Sequence, residues 1–198
     1  MSQTFKIRKG HDIKLVGSAP KTDLGRITAS TYAVTPLDFP GITPKLAVKA
    51  GTQVKAGDTL FFDKDRPEVK ICSPVSGEVA EVKRGAKRKI LAVLILADSD
   101  ITYTDHGALS ISGATREDAE AHFSATGVGA FITSRPYGVA ASMSEKPRAI
   151  FVNGIQSGPL AGDLAYQLEG KEKSLATALK ALKLMTEGMV YVSHDADC

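Results

Sequence analysis

Gly51-Thr52-Gln53-Val54-Lys55-Ala56-Gly57-Asp58-Thr59-Leu60-Phe61-Phe62 is the stretch that decides the fold. Short apolar pieces, Val54 and Leu60-Phe61-Phe62, alternate with two turn signatures, Lys49-Ala50-Gly51 and Lys55-Ala56-Gly57-Asp58. Glycine takes up the positive φ that hairpins and bulges need, so the pattern predicts short strands joined by tight turns. It extends in both directions. Leu46 and Val48 precede it. Val69-Lys70-Ile71-Cys72 follows and leads into Ser73-Pro74-Val75-Ser76-Gly77, then Val79, Val82 and the apolar run 90–97. Regularly spaced short strands predict a small barrel or sandwich over residues 41–98. The stretches from Gly51 to Gly57 and from Gly77 to Gly85 form a faint pseudo-repeat, too short for a repeat array.

Residues 1–40 are interrupted by Gly17, Pro20, Gly25, Pro36 and Pro40, and read as irregular structure with a few short strands. Lys6-Ile7-Arg8-Lys9-Gly10 at their start reads as a charged, solvated sheet edge. Beyond the β-rich stretch the character changes. Residues 99–148 read as a connecting segment holding a short helix over 116–123 and an Arg-Pro loop. Thr115 is its predicted N-cap, with Glu117 and Asp118 near the positive end of the helix dipole. Residues 149–198 read as the start of a Rossmann-like domain. Ala149-Ile150-Phe151-Val152-Asn153 is a buried strand, 172–187 a helix with Leu175, Leu179 and Leu182 on one face, and Val190-Tyr191-Val192 a second buried strand. Gly188 stands where a C-cap belongs. Strand, crossover helix and strand predict a parallel pair. Two strands leave such a sheet unfinished, so the chain reads as a fragment. The expected fold class is mixed α+β.

Composition narrows the function. The net charge of +3 is too small to argue for nucleic acid. The longest apolar run is strand length, far short of the roughly 20 residues that span a bilayer, and the N-terminus lacks a secretory apolar region. A cytoplasmic protein is expected. With no Trp and 6% aromatic residues, the core is expected to rely on Val, Ile, Leu and Ala. Cys72 and Cys198 are too few for a disulfide framework or a four-thiolate iron–sulfur site, and Cys72 reads as buried and inert.

No catalytic constellation stands out. His11, His106, His122 and His194 include no pair at helical metal-site spacing. His194-Asp195 with Asp197 and Cys198 makes a poor metal site at the chain end. Gly154, Gly158 and Gly162 follow a strand and precede helical sequence, but their spacing differs from the dinucleotide fingerprint, so a βα connection is the alternative to phosphate binding. Lys83, Arg84, Lys87, Arg88 and Lys89 form a basic hairpin tip, either a solvated turn or a docking site for an acidic partner subunit or anionic lipid head groups. No aromatic platform accompanies these cations, which disfavours nucleic acid. Phe131, Ile132 and Ser134-Arg135-Pro136-Tyr137 combine an apolar approach, a cation and a hydroxyl. Arg135 either pairs with a carboxylate, or the group Phe131, Arg135, Pro136 and Tyr137 receives a quinone through apolar walls and donors to its carbonyl oxygens.

Two families share these motifs. Gly51 to Leu60 with Ser73 to Gly77 resembles the lipoyl/biotinyl-carrier half-barrels, in which a hairpin lysine carries the cofactor. Lys64 would hold that place, although Asp58 to Lys64 is shorter than the carrier pattern and Pro67 stiffens the turn. The fuller resemblance is to the alpha subunit of the bacterial sodium-translocating NADH:quinone oxidoreductase. It is carried in order by Leu60-Phe61-Phe62-Asp63-Lys64, Ser73-Pro74-Val75-Ser76-Gly77, Arg84-Gly85-Ala86-Lys87-Arg88, Ser134-Arg135-Pro136-Tyr137, Ala149-Ile150-Phe151-Val152-Asn153, Pro159-Leu160-Ala161 and Leu184-Met185-Thr186-Glu187-Gly188. This chain departs from it in lacking a Trp before the Arg-Pro pair and an acidic residue after Asn153. The resemblance implies a barrel-sandwich hybrid domain followed by a partial Rossmann-like domain. It implies a peripheral subunit on the cytoplasmic side of the inner membrane, near the quinone end of a complex that oxidises NADH, reduces quinone and exports sodium. NADH, flavins and iron–sulfur centres would belong to other subunits, this chain would bind no cofactor and be inactive alone, and membrane contact would come only through the complex. The C subunit of Rnf-type electron-transfer complexes is a further relative, set apart by cysteine clusters that this sequence lacks.

Overall fold

The computed structural model describes residues 16–17, 20–25, 27–155, 158 and 161–194. The charged opening at 6–10, His11, part of the glycine-rich connection with Pro159-Leu160, and Asp195, Asp197 and Cys198 lie outside the described residues.

The first unit is built from seven strands: β1 (Thr31–Val34), β2 (Pro44–Leu46), β3 (Gln53–Val54), β4 (Thr59–Asp63), β5 (Lys70–Cys72), β6 (Gly77–Arg84) and β7 (Ile90–Ala97). They form a four-stranded antiparallel sheet in the order β1-β7-β6-β3 and a three-stranded one in the order β2-β4-β5. The two sheets enclose one core. Val54, Val79, Val93 and Ile95 come from the first, and Leu60, Phe61 and Ile71 from the second. Its centre is not purely aliphatic. Phe61 is fully buried and meets Phe39 edge-on at 6.3 Å, so the few aromatics are concentrated where packing is tightest. A side chain of that size contributes about 1.5–3 kcal/mol on leaving water.

Gly77 shows why the Ser-Pro-Val-Ser-Gly motif ends in glycine. Its φ is 149°, and a Cβ there would overlap the Leu96 carbonyl oxygen on the paired strand. The boundary expected at residue 41 falls between β1 and β2. β1, in the segment read as irregular, is nonetheless registered against β7 from Thr31↔Leu96 to Val34↔Val93. That pairing closes a loop of some sixty residues, which local turn signals do not reveal.

A short clamp closes the barrel's near end. Ala56 bridges Tyr103 in parallel, the Thr104 hydroxyl donates to Asp58 at 2.6 Å, and the Lys55 amide donates to the same carboxylate at 2.7 Å. Burial pushes the Asp58 carboxyl up, but these hydrogen bonds and the charges of Lys55 and His106 outweigh it, and the group lies below its usual 3.8. A depressed carboxylate stabilises the fold above its unfolded pKa, and that stabilisation is lost as pH falls through the folded one. In urea titrations, wild type should therefore exceed Asp58→Asn by its full margin at neutral pH. The margin should begin to close as pH approaches 3.8 and be gone well below it. A margin that does not change on acidification would sink this account.

The second unit starts with α1 (Arg116–Thr126), capped as its sequence predicts. Thr115 Oγ1 accepts from the Asp118 amide at 3.2 Å, and the Asp118 carboxylate accepts from the Thr115 amide at 2.9 Å. The helix runs one turn beyond the expected 123, to Gly127 in the left-handed region at φ 73°. A Cβ on Gly127 would meet Cys72 Sγ, so this glycine also seats the helix against β5. A hairpin of β8 (Thr133–Ser134) and β9 (Val139–Ala140) follows, then β10 (Ile150–Asn153), α2 (Leu164–Leu168), α3 (Glu172–Leu184) and β11 (Val190–Ser193). β10 and β11 are parallel, Ile150↔Val190 to Asn153↔Ser193, as the strand–helix–strand pattern predicts.

Ala119, Phe123, Met143, Ala181 and Met185 form a second core that joins α1 to α3. Residues 99–148 are thus more than a connector. Two expectations need correction. α3 ends at Leu184 with Met185 as C-cap, not at Gly188, which instead packs where a Cβ would overlap the Arg148 carbonyl. β10 and β11 are not buried on both faces: Phe151 is 74% exposed and stacks on Tyr191 at 5.0 Å, because the helix packing covers one side of the pair. Among the described residues, no helix is long and apolar enough to cross a membrane.

Candidate functional site

The Arg-Pro loop becomes a built feature in three dimensions. A 3-10 turn, Val128–Phe131, leads from α1 into β8, and the β8–β9 hairpin turns through Arg135, Pro136, Tyr137 and Gly138. The Gly138 amide closes the turn on the Ser134 carbonyl at 2.8 Å, and the Arg135-Pro136 peptide is cis. The hairpin lies where the two cores meet. Ala130 and Ala140 belong to the first, while Ile132 and Ala141 pack against the second. Ligand sites favour such junctions between packed units.

All four residues expected to face a quinone are brought to this hairpin or its base. Phe131 is 76% exposed and Tyr137 81% exposed, with Arg135 and Pro136 exposed between them. Phe131 rests edge-on against Phe39 at 5.6 Å, which ties it through Phe39 to the barrel core. The structural alternative for Arg135, pairing with a carboxylate, is not realised among the described residues. The guanidinium and the phenol hydroxyl are donors presented outward beside an aromatic face. The arrangement is an open surface. A groove of about 530 Å³ lined by His106, Ser112, Asp118 and His122 excludes all four.

The base of this hairpin depends on two residues whose role the sequence does not disclose. Asp63, 1% exposed at the end of β4, accepts from the Thr43 amide at 2.9 Å and pairs with Arg66 Nε at 2.7 Å. The same guanidinium donates to the Ala140 carbonyl of β9 and, at 3.0 Å, to the Gly41 carbonyl. The faint signal for it was Asp63 and Arg66 at i, i+3 around a Pro67 turn. Lys64 is exposed on that turn, its amide held by the Thr43 carbonyl at 2.8 Å.

The basic tip stands apart from the hairpin site. Lys83, Arg84, Lys87, Arg88 and Lys89 are all exposed, and the Arg84 guanidinium donates to the Arg88 carbonyl at 3.1 Å. Burial pushes the Cys72 thiol up, with the Thr59 hydroxyl and Lys70 pulling partway back, so it has the character of an unreactive packing residue. Among the described residues no three His, Cys, Asp or Glu side chains gather as metal ligands. Gly154 lies against the Ser193 carbonyl, a close strand contact, and α2, which follows, is a five-residue helix capped by Asp163.

Comparison with known families agrees with this architecture. Residues 5–98 match the model of the NqrA N-terminal barrel-sandwich hybrid domain, and residues 114–198 match that of the NqrA second alpha/beta domain. Curated relatives that bear the NqrA name, the alpha component of a Na(+)-translocating NADH-quinone reductase, cover nearly the whole chain. The protein from Cellvibrio japonicus is 31% identical over 95% of this chain, that from Vibrio alginolyticus 30% over 94%, and that from Yersinia pseudotuberculosis 28% over 97%. The chain spans 42–43% of the length of these relatives. Two domains matched in order, on a fold with two cores in the same order, place this chain in the NqrA family of the Na(+)-translocating NADH-quinone reductases.

Proposed function

We propose that this chain acts as a peripheral part of a sodium-translocating NADH-quinone reductase, and that its β8–β9 hairpin helps to form the quinone-reducing region. The observation that carries the proposal is the outward display of Phe131, Arg135 and Tyr137 on a hairpin anchored to both cores. The ring of a quinone would lie on Phe131 and Pro136. The guanidinium and phenol would donate to its carbonyl oxygens, whose negative charge grows on reduction. Because the hairpin surface is open, a neighbouring subunit supplies the facing wall. Electron carriers are assigned to other subunits: two cysteines cannot furnish the four thiolates of a cluster. The chain alone is therefore inactive, and the complex holds it at the cytoplasmic face of the membrane.

The test uses the full-length gene product in the complex purified from its own membranes. Arg135→Ala with Tyr137→Phe should raise the quinone KM by about tenfold, the loss of two modest hydrogen bonds. NADH oxidation by an artificial acceptor should be unchanged. Unaltered quinone affinity would remove the hairpin from the site. Failure of the tagged protein to co-purify with flavin-bearing membrane partners would remove the chain from the pump.

A further inference from the structure

The β6–β7 hairpin projects beyond the sheet that carries it. On one side, β1 covers β7 only at residues 93–96, and on the other, β3 covers β6 only at 77–78. The distal end, from Lys83↔Ala92 through Arg84↔Ile90 to the turn, has no flanking strand among the described residues. A register shift between Lys83 and Arg84 bends it further from the regular ladder. Five cations occupy this end, and residues 82–97 include no acidic residue. The whole chain carries only +3, so everything outside the tip sums to −2. The positive charge of the molecule is, in effect, one projecting tip.

The backbone there is unusual as well. Lys87 and Arg88 stand at φ 53° and 60°, in the left-handed region that L-residues rarely adopt. Glycine or asparagine relieves such positions, and lysine and arginine do not. Long cationic side chains at a strained turn point to a use for those side chains. None of the five cations pairs with a carboxylate among the described residues.

We infer that this tip is an electrostatic contact for a bilayer surface bearing anionic head groups, touching the membrane directly rather than only through other subunits. Two features favour lipid over a protein partner. Stable protein interfaces centre on desolvated aromatic or aliphatic anchors, and this tip has no aromatic residue and only the partly exposed Leu91 beside it. Attraction to anionic head groups needs no directional pocket, only several cations within a Debye length of the surface. The inference does not depend on the quinone reading.

The experiment is co-sedimentation of the 198-residue chain with vesicles of phosphatidylcholine containing roughly one part in four phosphatidylglycerol, against vesicles of phosphatidylcholine alone. Wild type should bind the anionic vesicles at low salt, lose that binding at high salt and ignore the neutral ones. Each cation near such a surface is worth about fivefold, so Lys83→Gln/Lys87→Gln/Lys89→Gln should weaken binding by roughly 100-fold. Lys49→Gln/Lys173→Gln/Lys180→Gln, with the same net charge and an intact tip, should stay close to wild type. Equal weakening by both triple variants would reduce the effect to net charge and overturn the inference. So would wild-type binding to neutral vesicles, or no wild-type binding to anionic ones. The last result would return the tip to an acidic protein surface.

Discussion

Replacing Arg116 with methionine is expected to cost about 3–5 kcal/mol of folding stability, the range for removing one partner of a buried ion pair. For a chain of this length that lowers the melting midpoint by roughly 10 °C. Arg116 opens α1, yet its side chain is only 13% exposed and faces inward across the second core. The guanidinium pairs with Glu120 one turn on, and donates to the Met143 carbonyl at 3.0 Å, Glu145 at 2.8 Å and Met185 at 3.0 Å. One planar cation thus joins the start of α1, the loop before β10 and the C-cap of α3. Methionine matches its volume but leaves three carbonyls and a half-buried carboxylate without their donor. Lysine should recover little, because a single ammonium cannot serve acceptors spread around a fork. Glu120→Gln should cost much less, since it removes the charge and keeps an acceptor. Thermal unfolding of the three variants checks this ranking. If Arg116→Met lost less than about 1 kcal/mol, packing between Phe123, Ala181 and Met185 would be holding the unit together unaided.

Arg116 marks the limit of what the sequence discloses. Thr115 and Asp118 announce the start of α1 because capping is local, within four residues. The same holds for α3, where leucine spacing locates the helix, and for the β10–α3–β11 order, where a crossover forces parallel strands. The turns around Gly51, Gly57 and Gly77 disclose the barrel for the same reason. What escapes is non-local. Nothing in Thr31–Val34 shows that it pairs with residues 93–96, and nothing in a helix-opening arginine shows that it reaches a carbonyl at residue 185. Of the site, the residue types at 131–137 are legible, since an aromatic, a cation and a phenol in one loop have few structural uses together. Their shared exposure, and the anchoring of their hairpin by a residue sixty-odd positions earlier, come only from the fold.

That anchor makes the second large prediction. Arg66→Met should destabilise the protein by about 3 kcal/mol and loosen the β8–β9 hairpin. The Asp63 carboxylate is almost wholly buried, and without Arg66 it keeps only amide donors, Thr43 at 2.9 Å and a long contact from Asp65 at 3.4 Å. A buried charge left without its counter-ion costs more than the pair was worth. The Ala140 and Gly41 carbonyls lose their shared donor at the same moment, so β9 is no longer pinned to the strand entering the barrel. Hydrogen exchange should therefore rise at the Ala140 and Ala141 amides, which now bond Pro40 at 3.3 Å and Ile132 at 2.8 Å, while the Val79 amide in the barrel core keeps its protection. Asp63→Ala should cost less than Arg66→Met, because Arg66 keeps two carbonyls and some access to water. Asp63→Leu with Arg66→Met should recover much of the loss, since an apolar pair removes the unpaired charge. The hairpin would stay loose in that double variant, which separates stability from positioning. In the assembled complex, a quinone affinity that falls in the stable double variant would show that Arg66 positions the Arg135 hairpin. An affinity that returns with stability would mean the hairpin needs no pin.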